Sequence, residues 1–198
     1  MKPWILLGQA RAPDGTDMRL QQRDREMVIF AGGKILMSSR MHGSEEALAA
    51  FGCEHAKNAD APRVLVGGLG LGFTLRATLG VLPPAATLVV AELVPAVVEW
   101  NRGPLGPLAN HPLRDARVSV HVGDVAEAMR EASRPFDAIL LDVDNGPDAF
   151  TTASNAGLYG DVGVAAAHAA LVPGGVLAVW SAWEDRKFEQ RLRYAKFL

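Results

Sequence analysis

The sequence has a single cysteine, no surplus of positive charge, no unbroken apolar run of membrane length and no internal repeat. Each shortage excludes something. Cys53 alone cannot form an internal disulfide, which fits a reducing compartment and a small buried or half-buried side chain. Lys and Arg number 20 against 22 Asp and Glu and are scattered along the chain, so no basic patch calls for a nucleic-acid partner. The apolar start at Trp4 to Leu7 is too short for a signal peptide, and the stretch from Val162 to Trp180 is broken by His168, Pro173, Gly174 and Gly175. A cytoplasmic protein without a membrane partner is expected. His111, His121 and His168 show no ligand spacing with one another or with nearby acids, so no metal is expected either.

What is present is an apolar chain, 49% hydrophobic over 198 residues, enough for one well-buried domain with a small appendage. The first 40 residues alternate in a β manner, with strands expected at 4–10, 18–22, 27–30 and 35–38 and a turn at Ala12 to Gly15. Ser44 to Phe51 then runs helically. From Arg63 onward, apolar strands at 63–67, 87–92, 117–122, 136–142 and 175–181 alternate with helices near 72–80, 94–101, 124–132, 158–171 and 184–195. That rhythm predicts an α/β fold with a doubly wound, mostly parallel Rossmann-like sheet, preceded by a β-hairpin appendage. Residues 1–45 form the hairpin segment in this reading and 46–198 the nucleoside-binding domain, with a composition shift at Ala59 to Pro62.

The first expected parallel strand runs into glycines, Arg63 to Gly72 reading RVLVGGLGLG, and Glu92 closes the next strand twenty residues after Gly72. Glycines there let backbone approach a ligand, and a carboxylate at the second strand's end can accept from ribose hydroxyls. A dinucleotide fingerprint would place its third glycine at position 73, where Phe73 stands, whereas Gly68, Gly70 and Gly72 give the G-x-G-x-G spacing commoner among S-adenosylmethionine binders. Asp124, closing the third strand, suits an adenine amine, or serves as the N-cap of the next helix, or both. Glu92 is otherwise a solvated strand end. Asp142 ends the fourth strand at the switch point of the sheet, with Asp144 and Asp148 following in a turn marked by Asn145, Gly146 and Pro147. An acidic mouth there favours a cationic nucleophile, and a carboxylate can take the proton that an amine must lose. Asp144 and Asp148 are also residues that form Asx-turns.

With these features the chain resembles the spermidine synthase group of class I S-adenosylmethionine-dependent transferases. The resemblance rests on VLVGGLGLG at Val64 to Gly72, AEL at Ala91 to Leu93, GDV at Gly123 to Val125, FDAILLDVD at Phe136 to Asp144, Leu158 with Tyr159, and LVPGG at Leu171 to Gly175. It implies that Gly68, Gly70, Gly72, Glu92, Leu93, Asp124 and Val125 bind the nucleoside. Asp142 is then the carboxylate that activates an amine, and Tyr159 an aromatic beside that amine. Asp144 is a further candidate at the acceptor. His42, in the segment that could fold over the donor, is either a proton-transfer group at the substrate or an ordinary surface-loop histidine. The implied co-substrate is S-adenosylmethionine or its decarboxylated form, with no metal, and the implied acceptor is a small-molecule amine. Arg40, if it reached the pocket, would pair with the carboxylate that only S-adenosylmethionine carries. The sequence departs from the group in its glycine loop, where Leu69 or Gly70 stands in place of an aspartate, and at Ser44, Glu45 and Glu46, which replace a Tyr-His-Glu triplet. Trp180 and Trp183 either wall the acceptor pocket or pack on the last helix. The chain also stops short of the two further strands usual in this class. The fifth parallel strand would then be an open edge covered by the hairpins or by a second subunit, and a homodimer is expected. Two other readings stand beside this one: a non-catalytic nucleoside-binding module, and a nicotinamide-dependent oxidoreductase.

Overall fold

The computed structural model describes residues 2–143 and 157–197. Four short strands, β1 (Ile5–Arg11), β2 (Asp17–Arg23), β3 (Glu26–Ala31) and β4 (Lys34–Ser38), form an antiparallel meander in chain order. Leu20 and Ile29 are fully buried in the main core, and Val28, which alternation turns to the opposite face, is fully buried too. The meander meets the rest of the chain partly through bare backbone. A Cβ at Gly8, where β1 is bulged, would lie 2.4 Å from the Trp100 indole nitrogen.

The second sheet is parallel. Its strands β5 (Arg63–Gly67), β6 (Thr87–Glu92), β7 (Val118–Val122), β8 (Phe136–Leu141) and β9 (Leu171–Val179) lie in the order β7-β6-β5-β8-β9. The apolar runs are continuous because both faces are covered. Val64, Val66, Leu88, Val90 and Leu140 pack on one face, with α1 (Gly43–Gly52), α2 (Phe73–Val81) and α3 (Pro95–Arg102). Leu65, Ala91, Ile139 and Leu141 pack on the other, with α4 (Val125–Arg130), α5 (Asp161–Ala170) and α6 (Arg186–Tyr194). This is the doubly wound α/β fold expected from the rhythm of the chain.

Two boundaries differ from that expectation by three residues or more. The helix expected from 158 starts at Asp161, because the chain turns back over Gly163, where a Cβ would lie 2.0 Å from the Leu158 carbonyl oxygen. The last strand starts at Leu171 rather than 175. Its register with β8 shifts between Phe136 and Ala138, and Gly174, at φ +81°, carries the chain past Pro173. Among the described residues β9 pairs with β8 alone, and no strand of the meander joins its outer edge.

The order reverses between β5 and β8, so these two strands end side by side while their connections leave toward opposite faces. The Asp142 N–H donates to the Gly67 carbonyl at 2.8 Å, and a Cβ on Gly68 would lie 2.1 Å from the Asp142 carbonyl oxygen. Gly68 also sits at φ +90°, so an L side chain is opposed by the backbone angle and by the neighbouring chain. Gly68→Ala is expected to cost about 2–4 kcal/mol. Denaturant unfolding of this variant beside Gly80→Ala, a helical glycine with open space around it, measures the difference.

Candidate active site

The carboxyl ends of the central strands open into a cavity of about 410 Å³. Its inner wall comes from the loop Gly68 to Leu71, the end of β6 with Glu92 to Val94, the turn Gly123 to Val125, and Asp142 with Val143. Facing these are Met18, Ile29, Leu36 and Met37 of the meander, Ser44 and Glu45 at the start of α1, and Trp180 just past β9. Glu92, Asp124 and Asp142 therefore share one cavity with Gly68, Gly70, Leu93 and Val125.

The glycine loop is shaped by three residues at positive φ, Gly68, Gly70 and Gly72 at +90°, +50° and +85°. Gly72 does not face the cavity. It starts α2 in a left-handed conformation and leaves room for Asn101, whose amide donates to the Gly70 carbonyl at 2.8 Å. Glu92 is only 8% exposed, so it is not a solvated strand end. Its carboxylate accepts from the Leu69 N–H at 3.0 Å and from the Val94 N–H at 2.8 Å, tying the glycine loop to the start of α3. Asp124 caps α4 by accepting from the Ala126 N–H at 2.8 Å while also lining the cavity. Capping and cavity exposure coincide in one side chain.

Asp142 accepts a hydrogen bond from the Thr74 hydroxyl, in the first turn of α2. Its pKa is pushed up to about 6, chiefly by desolvation and further by the negative charge of Glu45, with the Thr74 hydrogen bond pulling the other way. A carboxyl group with that value releases and takes protons near neutrality, the range general acid–base work requires.

Other expected residues lie elsewhere. Tyr159 is buried against Phe188, ring centroids 5.5 Å apart, with its hydroxyl 3.5 Å from the Val143 carbonyl oxygen, and it does not line the cavity. The His42 ring rests on Phe73 at 4.7 Å, its Nδ1 lies 3.1 Å from a Glu46 carboxylate oxygen, and it too is off the cavity wall. Arg40 pairs with Glu26 at 3.0 Å and is not a cavity residue. Trp180 lines the cavity and Trp183 does not. Asp144 and Asp148 lie outside the described residues. Cys53 is fully buried, and burial pushes its thiol up to about 12, so it stays protonated. Among the described residues no group of three or more His, Cys, Asp or Glu side chains is arranged to hold a metal ion, and no helix is long and apolar enough to cross a membrane.

Reading the sequence missed Thr74 and Asp14 and noted Glu45 only as part of a changed triplet. Thr74, two residues past the last glycine, was findable as a hydroxyl on the first turn of a helix aimed at the strand ends. Asp14 belongs to a tight turn, and only the docking of the meander brings it to the cavity.

The parallel order β7-β6-β5-β8-β9, the glycine turn after β5 and the acid ending β6 define a methyltransferase-like Rossmann fold. Two solved structures carry the comparison further. A spermidine synthase in complex with the transition-state analogue AdoDATO superposes with a TM-score of 0.70, and the spermidine synthase from Thermotoga maritima with 0.71, both at 20% sequence identity. Each comparison takes in 96% of this chain, which spans 60% and 61% of the two synthase chains. No protein-family model and no curated protein matches the sequence. The chain has a spermidine synthase-like fold.

Two measurements probe this architecture. Glu92→Ala leaves the N–H groups of Leu69 and Val94 without their acceptor, and a loss of about 1–3 kcal/mol is expected in thermal or denaturant unfolding, with Glu92→Gln falling between it and wild type. The second concerns pH. Because the folded pKa of Asp142 is raised from 3.8 to about 6, its contribution to stability is full below the unfolded value and is lost as pH rises through about 6. Asp142→Asn should therefore be more stable than wild type at pH 8, by about 1–3 kcal/mol, with the gain vanishing toward pH 4 in Tm measured across that range.

Proposed function

We propose that this chain is a spermidine synthase-like transferase. It moves an aminopropyl group from decarboxylated S-adenosylmethionine to a small amine acceptor, with Asp142 as the catalytic carboxylate. The observation that carries this reading is the convergence of Glu92, Asp124 and Asp142 on a single large cavity, at the switch point of a fold that superposes on two spermidine synthases.

The charge of the cavity supports the choice of donor. Its ionisable lining residues are Asp14, Glu45, Glu92, Asp124 and Asp142, and no Lys, Arg or His is among the described residues lining it. A sulfonium with a free ammonium tail and an amine acceptor are both cationic and complement such a wall. The carboxylate of S-adenosylmethionine would find no cationic partner there, and Arg40, which could have provided one, is held by Glu26. Methyl transfer is the weaker reading on that ground. Phe73 is the first residue of α2 and stands where a dinucleotide fingerprint needs glycine, which weighs against a nicotinamide cofactor.

The chemistry asks for alignment and one proton transfer. Glu92 and Asp124 hold the ribose and adenine, leaving the sulfonium end toward Asp142. Asp142 takes a proton from the acceptor ammonium, and the freed nitrogen lone pair forms a bond to the aminopropyl carbon. The carbon–sulfur bond breaks with its electrons going to sulfur, so the positive charge on sulfur is cancelled and methylthioadenosine leaves neutral. Holding nitrogen and carbon in line within a cavity shielded by the meander supplies much of the rate gain.

Calorimetry against decarboxylated S-adenosylmethionine, S-adenosylmethionine and NAD tests the donor, and product formation with putrescine tests the reaction. Binding is expected to favour the decarboxylated donor, and activity should rise with pH through about 6. Asp142→Asn should lower kcat by about 10²–10⁴-fold while leaving donor affinity within a few-fold. Equal or better binding of NAD, or unchanged turnover in Asp142→Asn, overturns the proposal.

A further inference from the structure

The geometry points to Thr74 as a positioning residue for the reaction: its hydroxyl fixes one oxygen of Asp142 and leaves the other turned to the acceptor. This inference rests on the transferase reading for its role in turnover, and on the structure alone for its effect on Asp142. Thr74 is 2% exposed and stands in the first turn of α2, where the helix leaves the glycine loop. Its hydroxyl donates to Oδ2 of Asp142, 68 residues away along the chain, and both residues line the same cavity. Among the described residues no donor meets Oδ1, so this oxygen remains available to accept from an ammonium group.

The Thr74 backbone is itself held in place. Its carbonyl accepts from the Thr78 hydroxyl at 2.8 Å, and Thr78 is fully buried. Asp142 is held at its backbone by the Gly67 carbonyl. Two anchored elements, the start of α2 and the segment after β8, thus meet through this hydroxyl, and a carboxylate that would otherwise rotate has one orientation. The charged groups on the walls around it are Glu45 of α1, Glu92 at the end of β6, Asp124 before α4 and Asp14 of the β1–β2 turn, all acids. No cation on the described wall competes to orient Asp142, which leaves that task to the threonine hydroxyl.

Removing the hydroxyl has two separable effects. The carboxylate loses the donor that stabilises its ionised form, so its titration point moves upward from the wild-type value of about 6. It also loses its fixed direction, which costs about 10- to 100-fold in kcat with little change in KM. A threonine that merely packed α2 would do neither in a variant of the same shape.

The test uses the full chain carrying carboxyl-labelled aspartate, with the Asp142 signal assigned by its loss in Asp142→Asn. Carbon NMR titration is expected to place Asp142 higher in Thr74→Val than in wild type and to return it in Thr74→Ser. The low-pH side of the activity profile with putrescine should move in parallel. If Thr74→Val fails to fold, Thr74→Ala takes its place in both measurements. An unchanged Asp142 titration in the folded variant overturns the inference, as does a kcat loss that serine fails to restore. Absence of any turnover in wild type overturns the transferase reading instead, and the titration still decides whether Thr74 governs the carboxylate.

Discussion

Two backbone segments in contact set the position of everything else in the site. At the ends of β5 and β8 the chain passes so close to itself that Gly68 can carry no side chain beside the Asp142 carbonyl. The glycine turn is thereby pressed against the segment that bears the Asp142 carboxylate. Glu92 performs the matching task on the other flank by accepting from Leu69 and Val94, so the loop is clamped from β8 and from β6. A loop fixed on both sides presents its peptide groups to a ligand without paying for ordering on arrival.

This clamp concentrates negative charge. Five carboxylates share the wall of a cavity of about 410 Å³, and Asp142, desolvated there and with Glu45 nearby, holds its proton to about pH 6. The arrangement is unfavourable for the empty protein near neutrality, and such strain is typical where stability is given up for chemistry. A cation entering the cavity relieves it. The negative charge of the wall, added to the desolvation of Asp142, thus disfavours the ionised empty site and favours the proposed cationic substrates.

Much of this was legible in the chain. The three-glycine spacing, the acids at strand ends and the switch from period-two alternation to βαβ rhythm follow from local chemistry, and the structure reproduces them at Gly68 to Gly72, Glu92, Asp124 and Asp142. What lay beyond reach depended on direction and docking. Gly72 belongs to the same repeat as Gly68 and Gly70 but faces Asn101, because the loop has already begun to wind into α2. Tyr159 sits next to a helix start and turns inward to Phe188, which spacing along the chain cannot announce. Thr74 and Asp14 reach the cavity only once α2 and the meander have packed, so their roles are written in tertiary contacts.

The seat of the meander on α3, where Gly8 admits the Trp100 indole, means that the roof of the cavity and its floor are built from separate sheets. The floor carries the groups assigned to the nucleoside, and the roof contributes Met18, Ile29, Leu36 and Met37. Substitutions at Met18, Ile29 or Leu36 change the roof, whereas Met37 also touches the glycine loop, its sulfur lying 3.0 Å from where a Cβ on Gly70 would stand. Under the proposed reading, the room for an acceptor is thus set largely by one sheet and the hold on the nucleoside by the other.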